Sequence, residues 1–150
     1  LLTPIYKPAT DPNLKVLLGS DGKKISFFDN DTFDFSGAFA RGGEWIWYLN
    51  SGPWLVRDGK INYNVVDFTS HWQKKTTRSG IITNPDGSVY FVVSTQNISL
   101  PQFVSFAFAS GIGTGAFQFV NIDGGSSSSL KTPYNSFRPN QNLPIFICIE

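Results

Sequence analysis

Gly80-Ile81-Ile82-Thr83-Asn84-Pro85-Asp86-Gly87-Ser88-Val89-Tyr90-Phe91-Val92-Val93 carries the strongest fold signal in the chain. Two runs rich in β-branched and aromatic residues flank a turn that holds both a proline and an Asp-Gly pair. Proline presets the backbone for a turn, and Asp-Gly tolerates the positive φ that tight hairpins require. The stretch therefore predicts an antiparallel hairpin.

Working outward toward the C-terminus, Leu100-Pro101 opens a different period. Phe103, Phe106, Ala107 and Ser110 recur at helical spacing, Ser99 stands at the capping position, and Gly111 and Gly113 follow. A proline in the first turn and glycine past the end fit a helix over about 100–110. Ala116 to Ile122 reads as a buried strand that ends at Asp123, followed by Gly124-Gly125 and a four-serine run. Leu143 to Ile149 reads as a closing strand.

Toward the N-terminus, residues 1–14 hold Pro4, Pro8 and Pro12 and are expected to form an extended arm or linker end. A second hairpin is expected from Lys15–Leu18 and Lys24–Phe28 around Asp21-Gly22. Glu44–Leu49 is a strand candidate, interrupted by Asn50-Ser51-Gly52-Pro53 and resumed by Trp54-Leu55-Val56. Strands dominate, hairpins are frequent and one helix precedes a strand. The expected class is α+β, with a mixed, mostly antiparallel sheet and at least one packed helix.

Composition bounds the function. Of 150 residues, 41% are apolar and 15% charged, with 14 Phe and 4 Trp, so the chain can build a core and is not disordered. A net charge of +1 offers no basic face for nucleic acid. No apolar run approaches the roughly 20 residues a membrane span needs. The chain begins at Leu1 and contains no Met. Leu1 reads as a cleaved or designed terminus, so the lack of a signal peptide says little about the full-length protein. Cys148 is the single cysteine and is expected to be a small buried hydrophobe. His71 is the single histidine, which excludes a poly-His zinc site and fits a surface loop as well as an acid–base role.

The chemistry concentrates at Asn121-Ile122-Asp123-Gly124-Gly125-Ser126-Ser127. An apolar strand delivers a carboxylate, and two glycines let the backbone turn so that its amides can form an anion-binding nest, with serine hydroxyls as further donors. The plainer alternative is a tight turn that Asp123 caps. Arg78, at the start of a strand, offers a guanidinium fork that matches phosphate, or else a surface ion pair. Ser51 and Gly52 mark a strand break where backbone meets either a ligand or a neighbour. Glu44 and Asp67 are candidate partners for Asp123 in a carboxylate pair. Lys74 and Lys75 read as solvated loop charges. Trp45, Trp47, Tyr48 and Trp54 suit core better than a sugar-stacking platform.

Taken in order, Ser51-Gly52-Pro53-Trp54-Leu55-Val56-Arg57-Asp58-Gly59-Lys60, Thr77-Arg78-Ser79-Gly80, the Asp86-Gly87 hairpin, the helix from Leu100, Asn121-Ile122-Asp123-Gly124-Gly125-Ser126-Ser127, and Arg138 with Leu143–Ile147 resemble the phosphodiester glycosidase family. The resemblance covers roughly residues 48–150 and makes 15–150 a domain of that type. Ser126 stands where the family has a third glycine. The family's upstream Asn-Gly-Gly-Phe-Phe-like segment has no good counterpart in residues 1–47, Phe35-Ser36-Gly37-Ala38-Phe39 being a poor substitute. Either it lies on a missing N-terminal part or the chain has lost it.

The resemblance implies hydrolysis of a glycosidic bond in a sugar-1-phosphodiester, in an extracytoplasmic setting: secreted, periplasmic, cell-surface or virion. Asp123 is then the main carboxylate and Arg78, Gly124, Gly125, Ser126 and Ser127 bind the phosphodiester. Asn121 orients Asp123 or touches the sugar, and Ser51 and Gly52 line the cleft. No metal is required, although Asp123 with backbone carbonyls would suit a hard cation such as calcium. The expected partner is a carbohydrate or sugar phosphate, with another chain or domain as a possible completion of the site. The competing expectation is a non-catalytic glycan-binding or structural module.

Overall fold

The computed structural model describes residues 15–30, 32–33, 47–63 and 73–137. Glu44, Trp45, Asp67, His71, Arg138, Cys148, the arm over 1–14 and the closing segment 143–149 lie outside them. The described architecture is α+β, and every pairing among its named strands is antiparallel.

The N-terminal hairpin forms as the Asp-Gly turn requires. Strand β1 (Val16–Ser20) pairs with β2 (Ile25–Asp29), with Asp21 accepting the amides of Lys23 and Lys24 in the turn. β1 is buried along its whole length because it is the middle strand of three, flanked on its other side by β3 (Trp47–Ser51).

The expectation of one strand broken and resumed around residue 50 needs correction. β3 runs through Asn50 and Ser51, and the break falls at Gly52-Pro53. Beyond it, β4 (Trp54–Arg57) joins a different sheet, of order β5-β4-β8-β6-β7. Gly52 sits at φ 142°, a backbone region that a Cβ disfavours, and the peptide to Pro53 is cis. This is where the chain passes from one sheet to the other.

In the larger sheet β5 (Lys60–Ile61) forms a hairpin with β4. The hairpin that opened the reading is β6 (Arg78–Thr83) with β7 (Val89–Val93), in register from Ser79 opposite Val93 to Thr83 opposite Val89. β6 starts two residues earlier than the apolar pattern indicated, because Arg78 and Ser79 continue the ladder against β8. β8 (Gln118–Gly124) lies between β4 and β6 and extends one residue past Asp123. A short pair, β9 (Leu130–Lys131) and β10 (Ser136–Phe137), follows.

Helix α1 (Leu100–Ala109) forms where the spacing placed it. Ser99 and Gln102 make a reciprocal capping box, and Pro101 costs no hydrogen bond in the first turn. The helix buries Leu100, Phe103, Val104 and Ala107 against Leu55, Val56, Ile82, Phe117 and Phe119. Phe103 meets Phe119 edge-on at 5.0 Å. That approach requires Gly80, since a Cβ there would stand 2.7 Å from the Val120 carbonyl and 2.8 Å from the Phe119 ring.

A second cluster, Val16, Trp54 and Val120 with Phe27, joins the two sheets. The Trp54 ring takes Phe27 at its edge and the Arg57 guanidinium over its face, 5.2 Å from the centroid. Arg57 also pairs with Asp29 at 3.5 Å. Of the aromatic candidates, Trp54 is therefore a buried packing element, while Trp47 and Tyr48 are half-buried.

Candidate functional site

Because β8 is antiparallel to both neighbours, its C-terminal end lies beside the start of β4 and the start of β6. The sheet therefore brings to one end the segments singled out in the sequence: 51–53, 77–79 and 121–125.

Asn121 fastens the first of them. Its backbone amide donates to the Pro53 carbonyl at 3.1 Å, and its carbonyl accepts from the Gly52 amide at 3.0 Å and the Ser51 hydroxyl at 2.8 Å. Its side-chain amide donates to the Gly52 carbonyl at 3.1 Å. Ser51 and Asn121 are both buried, and the Asn121 Oδ1 has no hydrogen-bond partner. Asn121 thus holds the passage between sheets; its side chain makes no bond to Asp123.

The β6 ladder carries a bulge here. Ser79 faces Asp123 and Gly80 faces Asn121, which leaves Ile122 as the extra residue. The Asp123 carboxylate is exposed, and its Oδ1 accepts from the Gly124 amide at 2.6 Å. The Ser79 hydroxyl donates to the Asp123 carbonyl at 3.0 Å.

The turn itself differs from an open nest. Gly124 is extended, at φ −153°, and only Gly125 takes a positive φ, 65°. Both glycine amides are engaged, Gly124 by Asp123 and Gly125 by the Thr77 carbonyl at 2.8 Å. The Thr77 hydroxyl returns a bond to the Gly125 carbonyl at 2.6 Å. Residues Gly125–Ser127 then form one 3-10 turn, with Ser126 exposed and Ser127 half-buried. The hydroxyl of Ser128, 2% exposed, has no partner in the structure.

Arg78 is not the surface cation that one reading of the sequence allowed. It is 5% exposed, and burial pulls its guanidinium below the ordinary arginine value. Nη2 donates to the Lys74 carbonyl at 2.7 Å and Nε to the Ile98 carbonyl at 3.4 Å. No ion-pair partner for it occurs among the described residues, and its Nη1 lies beside Gly124, 3.4 Å from where a Cβ would stand. The tighter constraint on Gly124 is the Thr77 carbonyl, 3.1 Å from that Cβ position.

The other described carboxylates are engaged elsewhere: Asp21 in its turn, Asp29 with Arg57, Asp58 with Gln118, and Asp86 with Ser88. Among the described residues no group of three or more His, Cys, Asp or Glu could hold a metal ion. No described helix is long and apolar enough to cross a membrane.

Sequence reasoning missed Thr77 and Ser79. Their hydroxyls flank Arg78 in the chain, but only the pairing of β6 with β8 shows that they grip the turn.

Comparison with known proteins adds one result. A family model described as phosphodiester glycosidase matches residues 7–147. No curated protein matches the chain.

Proposed function

The chain belongs to the phosphodiester glycosidase family, and on that premise we propose that it hydrolyses the glycosidic bond of a sugar-1-phosphodiester outside the cytoplasm. The observation that carries the proposal is the convergence at the end of β8: an exposed carboxylate on Asp123, a buried guanidinium on Arg78, and the serine-rich turn that follows.

Each part has a task. Asp123 protonates or deprotonates the reacting oxygen, or stabilises the oxocarbenium-like centre that glycoside cleavage develops. Arg78, held by two backbone carbonyls, presents Nη1 to one non-bridging phosphate oxygen; it binds by this end because Nε and Nη2 are engaged. The Ser126 and Ser127 hydroxyls bind the same phosphate, and Gly124 and Gly125 keep the backbone low enough for it to approach. Asn121, Ser51 and Gly52 form the opposite wall. A paired carboxylate, where the reaction requires one, comes from Glu44, Asp67 or another chain or domain.

One observation favours a non-catalytic glycan-binding or structural module instead. Both glycine amides of the Asp123 turn are already bonded, so the turn offers no open amide nest.

The deciding experiment is hydrolysis of UDP-N-acetylglucosamine and of a p-nitrophenyl sugar phosphodiester, wild type beside Asp123→Asn. Turnover that the variant loses by about 100-fold or more supports the glycosidase. A folded wild-type chain that turns over neither substrate leaves the binding module.

A further inference from the structure

The segment that wraps the Gly124-Gly125 turn carries more positive charge than one phosphodiester requires. Thr77 is bonded to Gly125 through both its carbonyl and its hydroxyl, and the Thr76 hydroxyl lies 3.3 Å from where a Gly125 Cβ would stand. Arg78 reaches back to the Lys74 carbonyl at 2.7 Å, which pins the backbone of Lys74 to the site. Lys74 and Lys75 are exposed, and no hydrogen bond or ion pair of their ammonium groups occurs among the described residues. Among the described residues, the segment thus carries three cations, Lys74, Lys75 and Arg78, beside a turn that carries one carboxylate, Asp123.

The two kinds of cation differ in what they suit. Arg78 is buried and fixed, as a group that positions one phosphate must be. Lysine ammonium groups on flexible stems hold a charge whose position varies. We propose that Lys74 and Lys75 select substrates whose leaving side carries a second phosphate beyond the phosphodiester at the sugar, so that diphosphate-linked sugars are preferred over singly charged diesters. This inference rests on the glycosidase reading for its substrate and on the 74–78 segment for its geometry.

The test compares kcat/KM for a UDP-linked sugar with that for a p-nitrophenyl phosphodiester of the same sugar, in wild type, Lys74→Ala/Lys75→Ala and Lys74→Arg/Lys75→Arg. The expected result is a fall of about tenfold in the ratio for the alanine pair, its recovery in the arginine pair, and a ratio that shrinks with added salt. A ratio that is the same in all three proteins overturns the inference while leaving the glycosidase intact. If the wild type turns over neither substrate, the glycosidase reading fails and binding decides this one. Calorimetry with UDP and with dimethyl phosphate must then show a diphosphate preference that the alanine pair loses; equal binding overturns it.

Discussion

The side-chain amide of Asn121 donates to the carbonyl of Gly52 across 3.1 Å, a bond between positions 69 residues apart that closes the passage from one sheet to the other. Replacing Asn121 by Ala leaves a buried carbonyl without that donor. The expected cost is about 1–3 kcal/mol. Urea unfolding checks it: the midpoint falls and the m-value stays the same.

Gly124→Ala separates packing from catalysis. The backbone there is extended, so alanine is conformationally acceptable, yet its Cβ would come within 3.1 Å of the Thr77 carbonyl and 3.4 Å of Arg78 Nη1. The Thr77 carbonyl, which holds the Gly125 amide beside Arg78, must give by a few tenths of an ångström. Glycosidic turnover of the sugar phosphodiester is expected to drop by roughly 10- to 100-fold, with a melting temperature within a few degrees of wild type.

Gly80→Ala is expected to act on stability instead. Its Cβ would meet a backbone oxygen at 2.7 Å and the Phe119 ring at 2.8 Å. A main-chain atom in the middle of a ladder cannot yield, so the loss is about 1–3 kcal/mol or more. Denaturant unfolding measures it, and activity per folded molecule stays near wild type.

The β6–β7 turn predicts a pH effect. Hydrogen bonds from the Ser88 hydroxyl and amide hold the Asp86 carboxyl below the usual carboxylate value. A depressed folded-state pKa means stability that is complete above the unfolded value and is lost as pH falls through the folded one. Ser88→Ala is expected to move the Asp86 titration back toward the ordinary carboxylate range, followed by NMR. A titration unmoved by the substitution contradicts the assignment of cause.

Local chemistry was legible in the sequence and distant pairing was not. The turn at Asp86-Gly87 and the helix capped by Ser99 depend on residues a few positions apart, and the structure has both. The passage at Gly52-Pro53 depends on Asn121, and no pattern within a single strand announces that the chain changes sheets there. The burial of Arg78 likewise depends on the carbonyls of Lys74 and Ile98, one of them 20 residues away. The bulge at Ile122 is a matter of register, which alternation alone does not define. Candidate residues were therefore readable as a set of types, while their contacts were not.

The β6–β7 turn has a practical use that follows from antiparallel pairing. Thr83 and Gln118 stand at one end of the central ladder and Ser79 and Asp123 at the other, a span of about 13 Å at the rise of an extended strand. Asn84 anchors that far end, its side chain bonding Ser88, the Ile112 carbonyl and the Thr114 amide. Gly87, by contrast, has no atom within 4 Å of where a side chain would start, although its φ of 87° strains any residue but glycine. A dye, a bead or a surface attached at the exposed Pro85 beside it would grip a rigid corner of the protein and leave the candidate site facing away from the support.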